Sequence, residues 1–202
     1  ALGTFGYTHC CIEDVGILRS IPGMIIISPA DSLETVKALE AAVKSKNPSY
    51  LRLTGSSNNP IVYKEDYEFE IGKSITLKEG KDITIFCTGA MVHQCLEAAK
   101  ILESRNISSK VVNMHTIKPI DSESINDACN FSKLIVSVEE HNIIGGLGTA
   151  IAERLVKNNK SPKLLMIGID DQYSKGGTYK FLKEKHGLSP DKIASNILKN
   201  LR

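Results

Sequence analysis

Compact apolar runs alternate with helically spaced apolar positions along most of the chain. Residues 24–28, 50–54, 83–88, 110–114, 134–138 and 164–169 have strand length and are largely apolar. Short apolar runs bounded by turn residues suit strands buried on both faces. Between them, apolar residues recur three and four apart. Ile12, Val15 and Leu18 predict a helix over 10–19, with Glu13 and Asp14 in a first turn where acids suit the helix dipole. Pro22-Gly23 ends it. Asp31-Ser32-Leu33-Glu34 has the form of a capping box and opens a helix to about residue 45, which Asn47-Pro48 breaks. Val92, Leu96, Ala99 and Leu102 predict a helix over 90–105, and others are predicted over 121–130, 145–157, 178–185 and 190–201. Phe69, Ile71, Ile75 and Leu77 mark one or two edge strands.

Helices alternating with strands give a parallel α/β sheet. Gly55-Ser56-Ser57-Asn58-Asn59-Pro60 is turn chemistry and divides the chain into residues 1–60 and 61–202. The first part holds two strands, too few for an open sheet, and reads as the C-terminal part of a larger α/β domain. A start at Ala1, without methionine, is read the same way. The second part has four strands alternating with helices, enough for a doubly wound domain. The predicted architecture is therefore α/β: an open, mostly parallel twisted sheet with helices on both faces, preceded by an incomplete α/β domain.

Composition narrows the class. Hydrophobic residues are 42% of the 202 and charged residues 24%, as in a folded globular protein. The longest apolar runs, 24–27 and 164–167, fall far short of the roughly 20 residues of a bilayer span, so no membrane partner is expected. A net charge of +2 argues against a nucleic-acid partner. From Ala150 onward there are 11 Lys and Arg against 5 Asp and Glu, without interleaved aromatics, which reads as a solvated basic surface. Five cysteines, none spaced as Cys-x-x-Cys, suit free thiols in a reducing compartment, the cytoplasm.

Three places could carry chemistry. His9 ends the Gly6-Tyr7-Thr8-His9 loop before a helix, a position for a general acid or base. Arg52 lies in a short apolar strand and needs an anionic partner, an internal carboxylate or a substrate phosphate. Glu139-Glu140-His141 closes a predicted strand before Gly145-Gly146-Leu147-Gly148, and a glycine turn at a helix start can hold an anion or serve as a tight structural turn. The third glycine of a dinucleotide fingerprint is absent, with Ala150 and Ile151 following instead. Asp170-Asp171 after the last strand could hold a cation, but two adjacent carboxylates are weak evidence for a metal site, and none is expected.

At these residues the chain resembles a known family. Gly6-Tyr7-Thr8-His9, Ile12-Glu13-Asp14, the run from Ile17 to Met24 (ILRSIPGM) and Ser28-Pro29-Ala30-Asp31 resemble the pyrimidine-binding domain of transketolases. The runs FEIGK at 69–73, EGKDIT at 79–84, NMHTIKPID at 113–121 and VEEHNIIGGLG at 138–148 resemble the transketolase C-terminal domain. The version is the split, two-subunit type.

The resemblance implies the C-terminal portion of an enzyme that uses thiamine diphosphate and Mg2+ to move a two-carbon ketol unit from a ketose to an aldose. It implies a sugar or sugar-phosphate substrate, and a homodimer or a heterotetramer with a diphosphate-binding subunit. The ligands of the diphosphate, the metal and the cofactor-activating glutamate fall outside this chain, which is then inactive alone. His9 matches the family's active-site histidine, which faces substrate oxygens and assists proton transfer. Arg52 matches an arginine of split transketolases and deoxyxylulose-phosphate synthases and becomes a substrate-binding candidate. Two departures point to a less polar or modified sugar. Phe5 stands where transketolases often carry an aspartate, and Gly55 where they carry a phosphate-binding arginine. Rival readings are a deoxyxylulose-phosphate synthase, a 2-oxoacid dehydrogenase beta-type subunit, and a non-catalytic dimerisation module.

Overall fold

The structure, a computed structural model, describes residues 3–54, 59–158 and 160–201. Gly55, and with it the departure placed there, lies outside the described residues, as does most of the 55–60 turn.

Residues 61–201 build a five-stranded sheet in the order β3-β5-β4-β7-β8. Its strands are β3 (Ile75–Lys78), β4 (Ile83–Cys87), β5 (Ser109–Asn113), β7 (Leu134–Asn142) and β8 (Lys163–Ile169). β4, β5, β7 and β8 run parallel, and β3 closes one edge antiparallel to β5. Strand side chains alternate between faces. Ile83, Ile85, Val111 and Val136 point to a core with α3 (Met91–Glu103) and α7 (Pro190–Asn200). Phe86, Val112 and Ile135 point to the opposite core with α4 (Ser122–Phe131) and α5 (Leu147–Leu155). Helices therefore cover both faces, as the alternation of elements predicts.

The first segment forms β1 (Ile25–Ile27) and β2 (Ser49–Leu51), which pair in parallel, with α1 (Asp14–Arg19) and α2 (Ser32–Lys44). The Asp31 half of the box at the start of α2 is made, while Glu34 reaches one residue past the N-cap. Asp31 Oδ1 accepts Glu34 N–H at 3.0 Å, and Glu34 Oε2 reaches back to Ala30 N–H at 2.6 Å. Asp31 Oδ2 also accepts Val62 and Tyr63 N–H, at 2.8 and 2.9 Å, so one carboxylate caps the helix and pins the connecting segment.

Several elements differ from expectation. The helix over 10–19 is only Asp14–Arg19, because residues 10–13 are drawn out to meet the second segment. Only one edge strand forms in 69–77. β7 extends to Asn142, carrying Glu139, Glu140 and His141 into a fully buried strand. An extra strand, β6 (Thr116–Lys118), leaves the second segment and joins β1 antiparallel, completing a three-stranded sheet β2-β1-β6. Val15, Ile26, Ile117 and Ala150 form one apolar cluster across the two segments.

Candidate functional site

His9 follows a single 3-10 turn, Gly6–Thr8, and its side chain is exposed. Its ring lies 4.9 Å from that of Phe5. Thr8 Oγ1 donates to the Phe5 carbonyl at 2.9 Å and lies 2.8 Å from His9 Nδ1. A hydroxyl has one hydrogen, already given to Phe5, so Nδ1–H must be the donor to Thr8. The neutral imidazole therefore carries its proton on Nδ1, and Nε2 keeps a free lone pair. A lone pair at Nε2 can accept a proton.

Arg52 follows β2 and is buried. Its Nε donates to Asp14 Oδ2 at 2.7 Å, and its Nη2 donates to Asp14 Oδ1 at 3.1 Å and the Cys11 carbonyl at 3.3 Å. The internal carboxylate is thus Asp14. Burial works to raise the Asp14 pKa, but the Arg52 bonds and charge, with the Tyr50 hydroxyl, hold it below the ordinary range. Such a pair is costly to break, about 3–5 kcal/mol, because removing one partner strands a buried charge. Arg52 reaches the helix that follows the His9 loop, not the imidazole.

The end of β7 supports the same segment. His141 Nδ1 lies 2.6 Å from the Asn142 carbonyl and so donates to it, and Nε2 accepts Gly16 N–H at 3.3 Å. Both roles need a neutral ring, and burial lowers the His141 pKa accordingly. Asn142 N–H donates to the Ile12 carbonyl at 2.7 Å, and Arg19 Nη1 donates to the Gly145 carbonyl at 2.9 Å.

The glycine turn does not offer an anion site. Glu139 already fills the start of α5, accepting Leu147 and Gly148 N–H at 2.7 and 2.8 Å. A Cβ on Gly146 would overlap that carboxylate, so glycine is required for the close approach. Burial pushes the Glu139 pKa up to about 7, against the pull of the two N–H groups. The structural reading of Gly145–Gly148 holds and the anion-binding one does not.

Sequence reasoning misses three contributors. Asp14 is legible as a helix-start acid, not as the partner of an arginine 38 residues away. The proton count at Thr8 needs coordinates. Tyr173, which donates to Glu13 Oε1 at 2.7 Å from far along the chain, gives no local signal.

Residues 72–193 match the family described as transketolase, C-terminal domain, and residues 1–59 that described as transketolase, pyrimidine binding domain. The chain belongs to the transketolase family. It is 39% identical over 190 residues to the 6-deoxy-6-sulfo-D-fructose transketolase subunit SqwH of Clostridium sp. (strain MSTE9), covering 93% of this chain and 58% of that protein. It is 35% identical over 199 residues to one subunit of the apulose-4-phosphate transketolase of Phocaeicola vulgatus, covering 98% of this chain and 63% of that protein. A solved structure described as a split gene transketolase, inactive beta4 tetramer, superposes with a TM-score of 0.90 at 37% identity, covering all of this chain and 65% of that one. The chain thus spans between 58% and 63% of the length of these two curated relatives.

Proposed function

We propose that this chain is the C-terminal portion of a two-subunit transketolase that transfers a two-carbon ketol unit from a ketose to an aldose, with His9 as the acid/base group. The observation that carries this reading is the exposed His9 imidazole, oriented through Nδ1 so that Nε2 is left as a proton acceptor. When its cofactor is bound, thiamine diphosphate supplies the electron sink that makes and breaks the carbon–carbon bond. His9 then takes a proton from, or returns it to, a substrate oxygen.

For the cofactor's diphosphate and its Mg2+, the start of α5 offers no open N–H donors, because Glu139 already caps it. We assign both to a diphosphate-binding subunit or an upstream part, in a heterotetramer or homodimer, and expect this portion alone to be inactive. Arg52 is our candidate for an anionic group of the substrate through Nη1, since Asp14 and the Cys11 carbonyl hold its Nε and Nη2. The names of both relatives carry an anionic substituent, a sulfo group or a phosphate, which supports a sugar of that class. The five cysteines are free, as suits the cytoplasm, and no helix among the described residues is long and apolar enough to cross a membrane.

The test is reconstitution of the whole protein with its partner subunit, thiamine diphosphate and Mg2+, assayed against ketose donors with aldose acceptors. Ketol transfer is expected, and His9→Asn should lower kcat by about 10²–10⁴-fold. No transfer with any donor, in a complex that binds cofactor, would favour the scaffold reading. Full activity in His9→Asn would remove the histidine from the chemistry.

A further inference from the structure

We propose that the loop between β8 and α6 (Tyr179–Lys185), residues 170–178, is the seat of the His9 segment, with Tyr173 and Gly176 as positioning residues for the imidazole. The proposal rests on the acid/base assignment of His9 made above.

Residues 3–13 have little regular structure of their own: one 3-10 turn, the backbone bonds Gly6 N–H to Gly3 O at 3.1 Å, His9 N–H to Gly6 O at 3.2 Å and Cys10 N–H to Gly6 O at 3.0 Å, and the Thr8 contacts to Phe5 and His9 described above. A segment this sparse in internal bonds takes its conformation from what it packs against. The 170–178 loop holds it on both sides of His9. Before the histidine, Gly177 N–H meets the Gly3 carbonyl at 3.4 Å, and the Tyr7 and Tyr173 rings lie 5.7 Å apart. Gly176 lies so close to the Thr4 carbonyl oxygen that a Cβ would overlap it, and a Cβ on Gly6 would run into Gly176 N at 2.6 Å. After the histidine, the Tyr173 hydroxyl donates to Glu13 Oε1 at 2.7 Å, while Glu13 Oε2 accepts Ile12 N–H at 2.8 Å. That Tyr173 bond is the foremost reason the Glu13 carboxyl lies below its ordinary range.

The loop is itself anchored. Asp171 Oδ1 accepts from Asn142 Nδ2 at 3.0 Å, and Ser174 Oγ contacts His186 Nε2 just past α6. Asn142 also holds Ile12 through its backbone, so β7, the loop and the His9 segment form one connected unit. Tyr173 is 63% exposed, so its ring adds little to the buried core, whereas its hydroxyl acts directly on the segment that carries His9. A small displacement of a catalytic group costs far more in rate than in stability. The second domain therefore contributes to the reaction without touching the reacting atoms.

The experiment uses the whole protein in complex with its partner subunit, thiamine diphosphate and Mg2+. Tyr173→Phe removes one hydroxyl, and Gly176→Ala adds the overlapping methyl. Amide hydrogen exchange over residues 3–13 is measured with kcat, KM and the melting temperature. Gly176→Ala is expected to speed exchange there about tenfold and lower kcat about tenfold with KM little changed. Tyr173→Phe should move both quantities a few-fold in the same direction at an unchanged melting temperature, and it carries the test if Gly176→Ala does not fold. Wild-type exchange over 3–13 in the folded variants would overturn the proposal. So would faster exchange at wild-type kcat while His9→Asn is impaired. If His9→Asn proves fully active, the acid/base reading fails separately, and exchange alone decides whether the loop is the seat.

Discussion

Thr8 has one hydroxyl hydrogen, and the Phe5 carbonyl takes it, so the His9 tautomer is decided by a neighbour rather than by the imidazole itself. Thr8→Val removes the acceptor for Nδ1–H. For the neutral ring, imidazole 15N spectra should then show the proton moving from Nδ1 onto a mixture of both nitrogens, while Thr8→Ser keeps it on Nδ1. An unchanged spectrum in Thr8→Val would mean that another group fixes the ring. His115 makes a different kind of prediction. It is buried, stacked 4.2 Å from Phe69, with Nε2 unpartnered among the described residues, and burial lowers its pKa from 6.5 to about 4. The folded state holds the proton less tightly than the unfolded state. Its contribution is thus fully present above pH 6.5 and lost as pH falls through the window down to about 4. That difference is worth about 3 kcal/mol. Urea unfolding at pH 7.5 and 4.5 should show a smaller acid loss in His115→Gln than in wild type, and equal losses would exclude this residue as the source. Neither effect is legible locally in the sequence, because one needs a donor count and the other needs burial.

Most helices and strands follow from local chemistry. Asp31 and Glu34 announce the start of α2, and the apolar runs at 83–88 and 134–138 announce central strands; all three form there. Errors arise where tertiary partners compete with local preference. Residues 10–13 have helical spacing, yet Ile12 gives its carbonyl to Asn142 and Glu13 a carboxylate oxygen to Tyr173, so the helix begins only at Asp14. β6 is three residues long and exists because β1 offers it a ladder. By sequence alone the glycine turn before α5 can serve a ligand but reads first as a structural turn, and Glu139 in the N–H cradle supports the structural role. Gly146→Ala should therefore destabilise the protein by about 2–4 kcal/mol in urea unfolding, since the methyl displaces a buried carboxylate from two donors. An exposed turn glycine would lose less than about 1 kcal/mol on the same change, and that result would argue against the cap.

Across the whole molecule, the two segments are joined by a shared sheet and a shared apolar cluster, with the buried Arg52–Asp14 pair beside them. The sequence by itself determined the α/β class, the order of nearly all elements, the family motifs and the candidacy of His9, because these rest on short-range periodicity, turn chemistry and contiguous residue patterns. Only the tertiary structure decided that Asp14 is the partner of Arg52, that Glu139 occupies the cradle at α5, and that residues 170–178 lie against the His9 loop. Those facts join residues as far apart in the chain as Gly3 and Gly177 through single hydrogen bonds or close backbone contacts. A long-range contact leaves no periodic trace in either partner's sequence, so it is fixed only when packing brings the two surfaces together.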